Sequence, residues 1–387
     1  MKRRVLVFTG TRSEYGLLYW LMKDLQDSAT LSLQLLVSGM HLSHEFGDTW
    51  RQIEADGFAV DAKVEMLLSS DTPVGIVKSM GLGTIGFADA LDRLKPDVLV
   101  VLGDRFEALA VVQAALILRI PVAHLHGGEI TEGAYDDAIR HAISKMASIH
   151  FTAAEPYRQR LIQMGEQPET VFNVGAIGLD HLMRAPPLDT AELTTSLGFQ
   201  LTSPYFLVTY HSVTLAEEDP ETTTQALLAA LDHFQDFQAI ITYPNADNGG
   251  RTIISILEDY VKTRSNRILV IPSLGSRRYL SALRGAAAMI GNSSSGIIEA
   301  PAFHIPTVNI GSRQHGRLAA DSVLHCSADR SDIVKAIAQA VSPEFSIRCQ
   351  RAVNPYGQGN ASAEIVRILE SHSVPSIKRF FDLGVML

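Results

Sequence analysis

Residues 96–120 read PDVLVVLGDRFEALAVVQAALILRI. Val98 to Leu102 form a short, β-branched apolar run, the signature of a buried strand. From Arg105 onward the apolar residues recur at helical spacing. A strand apolar on both faces that feeds straight into a helix is the repeating unit of a parallel sheet covered by helices. The unit recurs on either side. RVLVFTG precedes LLYWLMKDLQ, and LSLQLLVSG is another strand. IPVAHLHGG precedes DDAIRHAISKMAS, IHFTAAE precedes YRQRLIQMG, and the series closes near VFNVGAIGLDHL. Residues 184–204, broken by APPLDT and TSP, read as a linker. The pattern then restarts with the strand candidates YFLVTYH, QAIITYPN, RILVIPS, AAAMIGNS and TVNIG. The fold class is therefore α/β, with two doubly wound, Rossmann-like domains.

Bulk properties agree. The chain has 387 residues, enough for two cores, and is 46% apolar and 19% charged. A net charge of -9 argues against a broad nucleic-acid surface. Cys326 and Cys349 make neither a metal spacing nor a disulfide framework, which fits a reducing compartment. The N-terminal apolar run is too brief for a signal peptide, and no uninterrupted apolar stretch reaches bilayer length. These points predict a cytoplasmic protein without nucleic-acid or membrane partners.

In open parallel sheets, ligands bind beyond the carboxyl ends of the strands. The polar residues expected there are Arg12, Asp104, His124, His126, His211, Asn245 and Asn292. In MIGNSSSGIIEAPAF (289–303) three serines stand where a strand gives way to a helix. Exposed N–H groups, the helix dipole and serine hydroxyls suit a phosphate, with Gly296 permitting a tight turn and Glu299 facing ribose hydroxyls. Ordinary serine capping is the plainer alternative. Arg12 in TGTRSEYG offers a planar fork to phosphate or is a surface charge. That loop is neither a dinucleotide fingerprint nor a P-loop. Asp104 and Arg105 follow the opening strand. His124, His126 and Glu129 leave theirs through a double glycine. Asp136 and Arg140, like Asp137 and His141, are four apart and share helix faces. So many acids, bases and cations near one strand end suit proton transfer beside an anionic leaving group. The HxH spacing is too weak to indicate a metal. Arg313 and Arg317 suit a phosphate or the surface.

The ordered set TGTRSEYG, SGMH, LGDRFEALA, HLHGGE, DDAIRHAISKM, YPNADNGG, IGNSSSGIIEAP, NIGSRQ and KRFFDL resembles the hydrolysing UDP-N-acetylglucosamine 2-epimerases of sialic acid synthesis. It is similarly close to the relatives acting on UDP-diacetamido-trideoxyhexoses in legionaminic acid synthesis. The resemblance implies a GT-B-like arrangement with an interdomain cleft. Its domains would be 1–183, a UDP-binding 184–365, and a C-terminal helix, 366–387, returning to the first domain. It implies Ser293, Ser294, Arg12 and Arg105 at the diphosphate, Glu299 at the ribose and Arg313 at the diphosphate and sugar. Asn245 would lie by the sugar or nucleotide. Asp104, His126, Glu129, Asp136 and His211 would be catalytic positions, with Arg140 beside Asp136. UDP would leave by elimination, water would add to the glycal, and N-acetylmannosamine would be released. No redox cofactor or metal is implied, and the assembly would be a homodimer or homotetramer. The chain departs from some members in carrying His126 where they have glutamate. The same reaction on a 2,4-diacetamido sugar, a GT-B glycosyltransferase and a non-catalytic UDP-sugar-binding protein are the rival readings.

Overall fold

The computed structural model describes residues 2–68, 72–130, 135–184, 186–211, 219–244, 250–375 and 377–384. The chain divides into two compact units, one made of Met1–His181 with Tyr356–Leu387, the other of Leu182–Pro355. Each is a parallel sheet covered on both faces.

The first unit contains β1 (Arg3–Thr9), β2 (Leu31–Ser38), β3 (Ala62–Val64), β4 (Val98–Leu102), β5 (Val122–Leu125), β6 (Ile149–Thr152) and β7 (Val171–Asn173). They lie in the order β3-β2-β1-β4-β5-β6-β7. Side chains alternate across the pleat. Val5 and Val7 pack with Leu18, Leu21 and Leu25 of the helix Arg12–Asp27, while Leu6 and Phe8 pack with Phe87, Leu91 and Val111 on the other face. Thr11 opens that first helix with a reciprocal cap: its hydroxyl accepts from Glu14 N–H, and the Glu14 carboxylate accepts from Thr11 N–H.

The second unit contains β8 (Tyr205–Thr209), β9 (Gln238–Thr242), β10 (Ile268–Ile271), β11 (Ala288–Gly291), β12 (Thr307–Ile310) and β13 (Val323–Cys326), in the order β10-β9-β8-β11-β12-β13. Each sheet thus reverses direction once, between β1 and β4 in the first unit and between β8 and β11 in the second. That reversal parts the flanking loops and opens a crevice beyond the strand ends.

Two expectations need correction. Residues 184–204 are not a bare linker: the helix Thr190–Leu197 forms there, capped by Asp189 and Glu192, and Leu193 enters the second unit's core. The return to the first unit comes at Tyr356 rather than at 366, because Ala361, Ile365, Ile368 and Leu369 of the helix Ala361–Ser371 complete the core around Leu18 and Leu21. The helix Pro73–Leu94 is long and apolar enough, by length and composition alone, to cross a bilayer. Lys78, Ser79, Thr84 and Asp89 interrupt its apolar run in sequence. Its inner face, with Phe87, Ala90 and Leu91, is buried in the first unit.

Candidate active site

The candidate residues gather at the two sheet reversals. In the first unit, Arg12 follows β1 and is exposed, as the first residue of its helix. Beneath it, Glu14 is buried and its carboxylate accepts from Gly10 N–H at 2.7 Å. Burial raises its pKa to about 7, against the lowering effects of those N–H groups and of Arg105. Arg105, after β4, is fixed by two hydrogen bonds to Glu107, Nε to Oε2 at 3.1 Å and Nη2 to Oε1 at 3.0 Å. Glu107 is wholly buried. The cation expected at the diphosphate is therefore held in one orientation before any ligand arrives.

Asp104 and the helix Tyr135–Met146 meet at the same end. The buried Arg140 forms an ion pair with Asp104, donates to the Glu129 carbonyl at 3.0 Å and lies 3.7 Å from Asp137. The i,i+4 pairing expected for Asp137 and His141 forms at 3.4 Å. Arg140, expected beside Asp136, instead takes its principal partner from another strand end. Burial raises the pKa of Asp136, opposed by Arg105.

His126 has φ +63, a left-handed conformation that costs a non-glycine residue about 1 kcal/mol. Ile177 N–H donates to its Nε2 at 3.4 Å, so the proton sits on Nδ1 and is donated to Glu129 Oε1 at 2.8 Å. The double glycine makes room for this turn. A Cβ at Gly128 would lie 2.4 Å from the Tyr157 carbonyl oxygen, and one at Gly127 would lie 2.8 Å from Ser144 Oγ. His124 does not line the crevice as expected. It is buried within β5, where Nε2–H donates to the Gly103 carbonyl at 2.7 Å and Nδ1 accepts from Ser144 Oγ at 3.0 Å. Burial holds it neutral, with a pKa of about 3.

In the second unit, His211 follows β8 and is buried. Its backbone N–H donates to Asn292 Oδ1 at 2.7 Å, and its carbonyl accepts from Asn292 Nδ2 at 2.8 Å. Asn292 is therefore a staple between two strand ends, not a group facing ligand. Its own carbonyl accepts from Arg313 Nη1 at 3.1 Å and Gln314 Nε2 at 2.8 Å. Burial, then Arg313, lower the His211 pKa to about 4, so the ring is neutral at physiological pH.

The serine turn differs from the expected helix start. Only one α-turn forms, Ser295–Ile298, followed by a 3-10 turn, Ala300–Phe303. Ser293 Oγ accepts from Ser295 N–H at 3.3 Å, while the Ser294 hydroxyl makes no cap bond. Glu299 closes that α-turn rather than opening a helix. Gly296 is not in a tight turn; a Cβ there would lie 2.6 Å from Thr307 Cγ2, so it serves close packing onto β12. The conformational demand falls on Gly291, at φ +133, where a Cβ would lie 2.0 Å from the Thr209 carbonyl oxygen. Asn245 and Asp247 lie outside the described residues. Among the described residues no group of three or more His, Cys, Asp or Glu is placed to hold a metal ion.

Residue reading passed over Glu14, Glu107 and Gln314. The Thr11-x-x-Glu14 spacing is a legible cap signal. Nothing local marks Glu107 or Gln314, whose roles come from Arg105 and from the Asn292 carbonyl.

Residues 23–370 match the family model described as UDP-N-acetylglucosamine 2-epimerase. A relative from Campylobacter jejuni, named GDP/UDP-N,N'-diacetylbacillosamine 2-epimerase (hydrolyzing), is 40% identical over 89% of this chain and 89% of its own. One from Legionella pneumophila, named UDP-N,N'-diacetylbacillosamine 2-epimerase (hydrolyzing), is 36% identical over 96% of each chain. The crystal structure of UDP-GlcNAc 2-epimerase from Neisseria meningitidis bound to UDP-GlcNAc superimposes with a TM-score of 0.76, at 20% identity, covering 95% of this chain and 99% of that one. The fold is accordingly GT-B-like.

Proposed function

The chain belongs to the UDP-N-acetylglucosamine 2-epimerase family, and on that premise we propose that it is a hydrolysing UDP-sugar 2-epimerase whose substrate is a UDP-2,4-diacetamido-2,4,6-trideoxyhexose. The carrying observation is the network of Asp104, Arg140, Glu129 and His126 at one sheet reversal, in a chain 40% identical to a hydrolysing relative named for that sugar. UDP-N-acetylglucosamine is the second reading, favoured by the description of the family model.

In the reaction, a base takes the C2 proton while the C1–O bond to UDP breaks, leaving a C1=C2 double bond. Water then adds its hydroxyl to C1, and a proton returns to C2 on the opposite face. The products are UDP and a free sugar epimerised at C2. Ser293, Ser294 and Arg313 bind the diphosphate with Arg12 and Arg105, and Glu299 holds the ribose. Arg313 and Arg105 suit the leaving charge because each is already oriented. Asp136 exchanges a proton with the sugar, and Asp104 acts within its ion pair with Arg140. Neutral His211 accepts a hydrogen bond or a proton. His126 and Glu129 act as a coupled pair, since each occupies the other.

NMR of the purified protein with each UDP-sugar in D2O tests this reading. The expected product is a free sugar of inverted C2 configuration carrying deuterium at C2, formed faster from the diacetamido substrate. A returned UDP-sugar epimer would mean the non-hydrolysing reaction. Transfer of the sugar to an added acceptor would mean a glycosyltransferase, and binding without product a sensor.

A further inference from the structure

Two buried carboxylates share the charge of Arg105. Glu107, on the first turn of the helix Phe106–Ile117, is wholly buried and takes the guanidinium on both oxygens. Glu14, on the helix Arg12–Asp27, is 8% exposed. The two acids meet at Gly10, where a Cβ would lie 3.4 Å from Glu107 Cβ and 3.4 Å from Glu14 Oε2. Gly39, just after β2, closes the neighbouring side. Its Cβ would lie 2.8 Å from the Gly10 carbonyl oxygen and 3.3 Å from Glu107 Oε1. On this side there is no space for a second cation. His41, in the turn after β2, is buried and neutral, with a pKa lowered to about 4 by burial. Asp136 faces Arg105 from the helix Tyr135–Met146, and Arg12, on Glu14's own helix, is exposed. The Arg105 side chain keeps 38% of its surface exposed and is open to a ligand.

Counted as charges, the trio is one cation and two anions. Carboxylates taken out of water beside one another do not both stay ionised unless a cation compensates them. Burial lifts the Glu14 pKa to about 7, while the Gly10 N–H and Arg105 hold it down against Glu107. A diphosphate on Arg105 draws on that same cation. The carboxylate that yields is Glu14, because Glu107 is bound by the guanidinium through both oxygens. A protonated Glu14 keeps Oε2 as a carbonyl acceptor for the N–H groups of Gly10 and Thr11, so the helix cap survives.

We propose that Glu14 is a charge-compensating proton store for the diphosphate site, taking a proton from solvent when UDP or a UDP-sugar binds Arg105 and returning it when UDP leaves. Arg105 then faces its ligand with one anionic partner instead of two. The gain is largest as the C1–O bond breaks, when the departing diphosphate acquires a further negative charge. The proposal rests on the reading above that assigns the diphosphate to Arg105.

Isothermal titration of UDP into the full chain at pH 8, in EPPS and in Tris, tests it. The two buffers differ in ionisation enthalpy, so the difference in heat counts protons. At this pH free UDP is fully ionised and Glu14 of the ligand-free chain largely so. The wild-type chain takes up about half a proton per UDP, and Glu14→Gln, its fold checked by circular dichroism, about none. From pH 7 to pH 9 the wild-type Kd for UDP rises about fivefold more than that of the variant. UDP binding to the wild-type chain without proton uptake overturns the proposal and leaves the nucleotide reading intact. Uptake that persists in Glu14→Gln also overturns it, and assigns the proton to another group such as Asp136. Failure of UDP to bind at any pH overturns the nucleotide reading itself, and the proposal with it.

Discussion

Glu14 shows how one residue carries two demands. Its carboxylate caps the helix Arg12–Asp27, yet it is buried beside Glu107, and its pKa rises to about 7. A carboxyl that binds its proton more tightly when folded stabilises the protein at low pH and loses that contribution as pH rises through the folded value. Stability should therefore fall between about pH 4.5 and pH 7 by up to roughly 3 kcal/mol from this group. Urea titrations across that range will show it, and Glu14→Gln should flatten the slope. Asp136 makes a separate test. If it exchanges a proton with the sugar, Asp136→Asn lowers kcat by about a hundredfold or more, with KM changed only a few-fold. A rise in KM at constant kcat would make it a binding group.

Among the elements, the pairing of β8 with β11 is the least tolerant. Gly291→Ala puts a methyl group into the Thr209 carbonyl at a φ that L residues rarely adopt. It should cost about 3 kcal/mol or more, read as a lower unfolding midpoint. The helix Tyr135–Met146 is secured at its far end by Lys378, which donates to the carbonyls of Ser144, Lys145 and Ala147 at 3.1, 2.8 and 2.8 Å and pairs with Glu166 at 2.5 Å. Cations at helix C-termini are favourable, and breaking a buried pair is costly. Because Glu166 keeps Lys145 and His150 as partners, Lys378→Met should destabilise by only about 1 kcal/mol and, because Asp136 stands on the first turn of that helix, slow turnover as well. Thermal unfolding and initial rates of one preparation read both effects.

At the scale of the whole molecule, the proposed labour is unequal: UDP is held chiefly by the second unit, and proton transfer is done chiefly by the first. Hydrogen exchange on the intact chain should show UDP protecting amides around Asn292–Ile298 strongly and those around Asp136–Arg140 weakly. Equal protection of both segments would assign the first unit a larger share of the nucleotide.

The alternation of strand and helix, the two sheets and the strand-end positions of Asp104, His126 and His211 were legible in the sequence, because hydrophobic period and turn chemistry are local properties. The strands Ala62–Val64 and Val323–Cys326 were not, being edge strands interrupted by exposed Lys63 and His325. Spacing alone paired Arg140 with Asp136. The sheet brought Asp104 to it from 36 residues away. Likewise Asn292 looked like a ligand contact until its amide met the backbone of His211, and Gly296 looked like a turn until Thr307 lay against it. Sequence by itself determined which elements form and which polar residues end the strands. Only the tertiary structure decided which of those residues bind one another and which remain to meet a substrate, because side-chain pairing depends on distances set by packing between segments far apart in the chain.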